Sequence, residues 1–292
     1  MIKNTVVDLG NMFVKYSGET MGNFSSKIST DFHAYEEGFD RVEIEGKKTY
    51  IGTGELSKEF NKVDKDFKAQ LFFAICRANN NEEVIDTNLT LLLPALQMSN
   101  KPKLIEMLQG KEFMFKLNNK DKIIRINDCA VMPEGYMVYF ALDEETKKKD
   151  ICIVDIGSRT VNICALEDSK IQNIQTLKLG SFDLYSKIKV IESAKGEALT
   201  EEDVVRMVEN GKIKVDDSLY VDFVNEIMNN IKPYINLRKY DIVFAGGTSL
   251  LLKQYLNGLN LPYATIMEDS FYANVIGATK TSEMIWKLKN EQ

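Results

Sequence analysis

Apolar and polar residues alternate in short blocks at the start of the chain. Lys3 to Asp8 is β-rich and ends in Asp-Leu-Gly, and Phe13 to Tyr16 resumes the pattern, which predicts strand, tight turn, strand. Arg41 to Ile51 alternates around Gly46-Lys47 as a second hairpin, with Val42, Ile44, Tyr50 and Ile51 as its larger side chains. The period then lengthens: Phe67, Leu71, Ala74, Ile75 and Ala78 fall at helical spacing and predict a helix from about Asp66 to Ala78. Thr87 to Leu93 is a continuous apolar run stopped by Pro94, which suits a strand covered on both faces. Alternation returns from Glu112 to Val131 across a polar turn, Asn118-Asn119-Lys120-Asp121. Pro133 opens a predicted helix to about Leu142.

The stretch Asp143 to Asp150 mixes opposed charges and reads as a solvated connector between two domains. Beyond it the pattern restarts, with a strand at Ile151 to Asp155, then Asp-Ile-Gly, then a second strand. Helices are predicted at Gly180 to Ser193, Thr200 to Glu209 and Asp216 to Asn236, the second capped by Thr200 with Asp203 three residues on. Asp241 to Phe244 is a strand that runs into Ala245-Gly246-Gly247-Thr248-Ser249 and a helix to about Tyr255. Ser270 to Lys287 is a last amphipathic helix.

At 292 residues the chain has the length of about two domains. Its net charge of −6 offers no general attraction to a phosphate backbone, so direct nucleic-acid binding is not expected. No apolar run approaches the ~18 residues of a membrane span, and Asp8 comes too early for a signal peptide. No membrane contact is expected, and the protein reads as cytoplasmic. Cys76, Cys129, Cys152 and Cys164 form no CxxC pair and read as buried thiols in a reducing compartment. The single histidine, His33, leaves little room for a His-based metal site or a Ser-His-Asp hydrolase and is expected to be structural or on the surface.

Candidate chemistry rests on a long-period repeat. Val7-Asp8-Leu9-Gly10 returns as Val154-Asp155-Ile156-Gly157, and Val14 and Val161 match at the same 147-residue offset. Glycine in such a turn lets backbone approach closely, and successive N–H groups favour an anion. The strand-end Asp offers the hard oxygen that Mg²⁺ takes, commonly through retained waters. Asn11, Lys15, Ser158 and Thr160 add donors and a charge, so two such hairpins suit a pair of phosphates. Gly246-Gly247, between strand and helix, permits close approach either of a nucleotide at a helix N-terminus or of the neighbouring strand. No Gly-Lys pair is followed by Ser or Thr, which excludes a Walker A loop, and Gly52-Thr53-Gly54-Glu55-Leu56-Ser57 fails the dinucleotide fingerprint.

In this order the motifs resemble those of the actin-like ATPases of the actin, sugar kinase and heat-shock chaperone superfamily. Among these the chain is most similar to ParM-type plasmid-segregation actins and their archaeal and phage relatives. Asp8-Leu9-Gly10-Asn11 with Lys15 resembles the first phosphate motif, and Asp155-Ile156-Gly157-Ser158-Arg159-Thr160-Val161-Asn162 resembles the second. Ala245-Gly246-Gly247-Thr248 resembles the adenosine motif, and Asn274 with Gly277 the last helix. Leu92-Leu93-Pro94 and Val131-Met132-Pro133-Glu134 match a strand end and a Pro-Glu connector. Ser158, Asn162 and Thr248 stand where the family has Gly, Asp and Gly.

The resemblance implies an actin-like α/β fold of two ribonuclease H-like domains with nucleotide in the cleft between them. Residues 1–147 with a returning helix at 271–292 would form the first domain and 148–270 the second. It implies ATP or GTP with Mg²⁺ as ligand, Asp8 and Asp155 as metal-facing and catalytic carboxylates, and Glu134 orienting the attacking water. Gly10, Asn11, Lys15, Gly157, Ser158, Arg159, Thr160, Asn162, Gly246, Gly247 and Thr248 would contact the nucleotide. Nucleotide-driven filaments that segregate plasmid DNA through a DNA-binding adaptor of the ParR type would follow. The alternatives are a small-molecule kinase of the same superfamily and a non-hydrolysing, nucleotide-dependent scaffold.

Overall fold

A computed structural model of the chain describes residues 2–31, 33–196 and 198–290. The outer ends of the expected domains, Met1 and Gln292, lie outside them. The chain divides into two compact units, one of residues 1–141 with 274–292 and one of residues 142–273.

The first unit opens with three antiparallel strands, β1 (Lys3–Leu9), β2 (Phe13–Ser17) and β3 (Met21–Ser25), followed by β4 (Ile28–Ser29), β5 (Arg41–Ile44) and β6 (Lys47–Ile51). Helix α1 (Lys68–Ala78), β7 (Val84–Leu93), α2 (Lys101–Leu108), β8 (Lys111–Leu117), β9 (Lys120–Pro133) and α3 (Tyr136–Ala141) follow. Among the described residues the sheet order is β3-β2-β1-β7-β9-β8-β5-β6-β4, with β1, β7 and β9 parallel. Strand β7 carries Leu89-Thr90-Leu91-Leu92-Leu93, every residue of it buried, with Thr90 the one polar side chain. That is the composition of a strand covered on both faces. Helix α1 is apolar over most of its surface because Leu71, Phe72, Ala74 and Ile75 are all buried in the core that also holds Val7, Val14 and Leu91.

The second unit holds α4 (Glu144–Lys147), β10 (Ile151–Ile156), β11 (Val161–Glu167), β12 (Lys170–Leu177), α5 (Ser181–Ser193), α6 (Glu201–Glu209) and α7 (Asp217–Ile231). It continues through β13 (Asp241–Ala245), α8 (Gly247–Leu251), α9 (Lys253–Asn257) and β14 (Ala264–Ile266). Its sheet runs β12-β11-β10-β13-β14, with β10, β13 and β14 parallel. This repeats the order β3-β2-β1-β7-β9, so the sequence repeat marks a structural duplication. Helix α10 (Ala273–Asn290) then packs Val275 and Ala278 against Val6, Leu92, Met132 and Met137 of the first unit.

The structure corrects several element boundaries. Pro133 is the last residue of β9, where a proline needs no further ladder partner, and the helix starts only after Gly135 at φ +76°. The hairpin turns centre on Glu45-Gly46 and Asn118-Asn119, pairs with positive φ as two-residue turns require, so Lys47, Lys120 and Asp121 are already in strands. The expected helix to Tyr255 is two five-residue pieces that meet at Leu252. Helix α7 ends at Ile231 rather than Asn236, two residues before Pro233, since the residue preceding a proline is disfavoured in helix. The connector 143–150 contains one short turn of helix, capped by Asp143 accepting from the Thr146 N–H.

Candidate functional site

In the first unit the carboxyl ends of three adjacent parallel strands gather four charged side chains. Asp8 lies near the end of β1, cross-strand from Lys15 of β2, and Lys15 Nζ stands 3.5 Å from Asp8 Oδ2. Glu134 follows β9 directly, where its N–H donates to the Leu93 carbonyl at 2.8 Å. Between the two carboxylates lies Lys62, a residue for which the sequence carried no signal. Its Nζ donates to Asp8 Oδ1 at 2.8 Å, to Glu134 Oε1 at 2.5 Å and to the Leu92 carbonyl at 3.3 Å. Burial alone would lower the pKa of this ammonium, but the charges of Asp8 and then Glu134 outweigh it and hold the group well above the usual lysine range. For Asp8, burial would raise the pKa, and the Lys62 and Lys15 charges overcome this to hold the carboxyl below the ordinary range.

The turn between β1 and β2 is tight. A β-carbon on Gly10 would lie 2.2 Å from the Phe13 carbonyl oxygen, so only glycine fits. The Gly10 carbonyl accepts from Ser26 Oγ at 2.6 Å, and Asn11 Oδ1 accepts from Lys65 Nζ. Asp8, Lys15 and Glu134 thus come together around Lys62, while Asn11 is engaged by Lys65.

The second unit repeats the first hairpin with different chemistry. Asp155 lies cross-strand from Asn162, the register in which Asp8 faces Lys15, and Asn162 Nδ2 donates to Asp155 Oδ2 at 3.2 Å. Thr176 of β12 donates to Asn162 Oδ1 at 2.9 Å, which fixes the amide orientation. The duplicated carboxylate therefore meets a neutral amide where its counterpart meets an ammonium. The Gly157 N–H donates to the Thr160 carbonyl at 2.8 Å and closes the turn. The Gly157 carbonyl accepts from Thr248 Oγ1 at 2.9 Å, and the Ser158 carbonyl from the Phe182 N–H at 2.9 Å. The Arg159 guanidinium lies 4.8 Å from the centre of the Phe182 ring. Gly246, at φ +86°, packs against the end of β10, and Gly247 approaches the Phe271 ring. The Gly246 N–H donates to the Ser270 carbonyl at 3.0 Å.

Asn274 and Gly277 both serve the attachment of α10 to the first unit. Asn274 Oδ1 accepts from the Gly135 N–H at 2.8 Å, and Gly277 meets the Met137 backbone. His33 packs its ring against Phe39 and Tyr50. All four cysteines are buried free thiols. Among the described residues no three His, Cys, Asp or Glu side chains gather as a metal cage, and no helix is long and apolar enough to cross a membrane. A single strand-end carboxylate is chemically enough for Mg²⁺, which is held by one or two carboxylates together with water and phosphate oxygens. Asp155 accepts from the Asn162 amide, whereas both Asp8 oxygens face lysines.

The shared strand order of the two sheets, each with an aspartate at the same strand end, is that of an actin-like fold. The family model for the actin like proteins N terminal domain matches residues 7–136, and the likeness in fold extends over the whole chain. The apo pSK41 ParM protein is 20% identical, with 100% of this chain and 99% of that chain covered at a TM-score of 0.73. A 15-stranded ParM filament from Clostridium botulinum is 18% identical over 97% of this chain and 99% of that one, at a TM-score of 0.78. An AlfA filament bound to AMPPNP is 19% identical over 98% and 99%, at a TM-score of 0.69. No curated protein matches the chain by sequence.

Proposed function

We propose that this chain is a Mg²⁺-dependent nucleoside triphosphatase that assembles into filaments, binds ATP or GTP, and segregates plasmid DNA in the cytoplasm through a DNA-binding adaptor. The observation that carries the reading is the duplicated hairpin, with Asp8 and Asp155 at equivalent strand ends. The filament structures of similar fold, one of them bound to AMPPNP, support it. In this reading Lys15 and the turns at Gly10 and Gly157 face phosphate, with Asn11, Ser158, Arg159, Thr160 and Asn162 around them. Gly246, Gly247 and Thr248 shape the nucleoside side, and Asp155 would hold the metal. Bound Mg²⁺ supplies neutralisation of phosphate charge. Glu134, buried beside Lys62, orients the attacking water and takes up its proton.

Right-angle light scattering of purified protein tests it. Scattering should stay flat without nucleotide and rise with Mg-ATP or Mg-GTP above a threshold protein concentration, as growth by a non-closing contact requires. The pellet should contain the chain, and phosphate should be released. A protein that stays monomeric with either nucleotide, yet phosphorylates a sugar or small acid, is a kinase and ends this reading. Glu134→Ala should lower turnover by roughly 10²–10⁴-fold with nucleotide affinity retained. Equal loss of both would make Glu134 structural.

A further inference from the structure

We propose that Lys62 is a positioning residue for Glu134, an internal cation that holds the carboxylate in place for the water it orients; this rests on the role given to Glu134 above.

The geometry argues for it in three ways. First, the Lys62 side chain is 5% exposed, and an ammonium has three protons to donate. Asp8 Oδ1, Glu134 Oε1 and the Leu92 carbonyl accept them, so its direction is fixed from three sides. Second, the backbone end of the residue is fixed as well. The Lys62 N–H donates to Gln97 Oε1 at 2.9 Å, and Gln97 Nε2 donates to the Phe60 carbonyl at 3.0 Å. Gln97 is itself buried. A side chain anchored at both ends is the preorganised support that a precise site needs.

Third, packing does not ask for a charge here. Burying an ammonium is costly, and apolar residues of similar volume commonly serve stability as well or better. What calls for a cation is the pair of carboxylates at neighbouring strand ends. Asp8 already faces the Lys15 ammonium at its other oxygen. The shorter of the two Lys62 contacts, at 2.5 Å, goes to Glu134. Removing this partner leaves the buried Glu134 carboxylate without the charge that offsets its burial, which is strongly unfavourable. Lys62 acts through Glu134 and needs no contact with the nucleotide.

The experiment is a double-mutant cycle in the full-length protein. Lys62→Gln removes the charge but keeps N–H donors, and Lys62→Arg keeps the charge. Each is made alone and with Glu134→Gln, and folding is checked by urea unfolding. Lys62→Gln should lower kcat by about 10–100-fold, with KM for Mg-ATP and the Kd of a non-hydrolysable analogue within about threefold of wild type. Lys62→Arg should recover to within about tenfold of wild type, and Lys62→Gln should add nothing once Glu134 is Gln. An effect of the same size in the Glu134→Gln background overturns the proposal. So does an affinity loss as large as the kcat loss, or an Arg variant no better than Gln. If Lys62→Gln does not fold, the same comparison is made with Lys62→Arg, which must slow the wild-type background and spare the Glu134→Gln one. Wild-type protein that folds but releases no phosphate overturns the hydrolytic reading together with this role. Normal wild-type turnover with unimpaired Lys62→Gln overturns this role alone.

Discussion

A β-carbon built on Gly246 would lie 2.3 Å from the Ile156 carbonyl oxygen and 2.6 Å from Asp155 Oδ1. Gly246→Ala therefore strains a backbone at φ +86° and pushes on the carboxylate proposed to hold the metal. The strain costs on the order of 1–3 kcal/mol. Gly52, at φ +81° with nothing near its absent β-carbon, provides the control, since Gly52→Ala brings the strain without the contact. Urea unfolding should register both substitutions, and fluorescent-nucleotide titration should lose affinity only for Gly246→Ala.

Burial pushes the thiols of Cys76, Cys129, Cys152 and Cys164 up to about 12. An unfolded thiol ionises near ~8.5. The stability these groups contribute is therefore fully present below that pH and is lost as pH rises through it towards about 12. Urea midpoints should fall between neutral pH and about pH 10, and less steeply where a buried Cys is replaced by Ala. At neutral pH the folded protein should resist thiol reagents that label it in urea. The equivalent placement of Asp8 and Asp155 was legible in the sequence, because the 147-residue repeat reports it. Lys62 was not. It sits in Asn61-Lys62-Val63-Asp64, where a lysine among polar residues reads as solvated, and its burial is set by partners 54 and 72 positions away.

Helix α10 docks through two contacts that permit little adjustment. A β-carbon on Gly277 would fall 1.7 Å from the Met137 carbonyl oxygen, so Gly277→Ala forces the helix off α3. Asn274→Ala removes the acceptor of the buried Gly135 N–H, a loss of about 1–3 kcal/mol. Because Gly135 follows Glu134, that variant should also slow phosphate release by more than it weakens nucleotide binding. Denaturation and steady-state turnover check the two effects. Among elements, the hairpins and the buried strand β7 were legible because alternation and continuous apolar runs are strong signals. Strands β3 and β12 were not. Met21–Ser25 and Lys170–Leu177 are half-exposed or exposed along their length, and what makes them strands is the edge of β2 and of β11. Strand β14, three residues long, is likewise made by pairing with β13 rather than by its own pattern.

At the scale of the whole molecule one five-strand order occurs twice, and the fold class was legible because the 147-residue repeat reports that duplication; solved structures at 20% identity or less share the fold. The units differ in how the chain makes them. Residues 142–273 are continuous, whereas residues 1–141 need 274–290 to cover Val6, Leu92, Met132 and Met137. Residues 142–273 expressed alone should therefore give a cooperative melt by circular dichroism. Residues 1–141 alone should expose apolar surface and bind a hydrophobic dye, and a linked segment 274–290 should abolish that binding. The same interruption sets an order of events during synthesis. At roughly 5–20 residues per second, the 132 residues of 142–273 keep the first sheet waiting roughly 7–26 s for its last helix. Over that interval the nascent first sheet carries an uncovered apolar strip at Val6, Leu92 and Met132, which is closed only after the helix is translated.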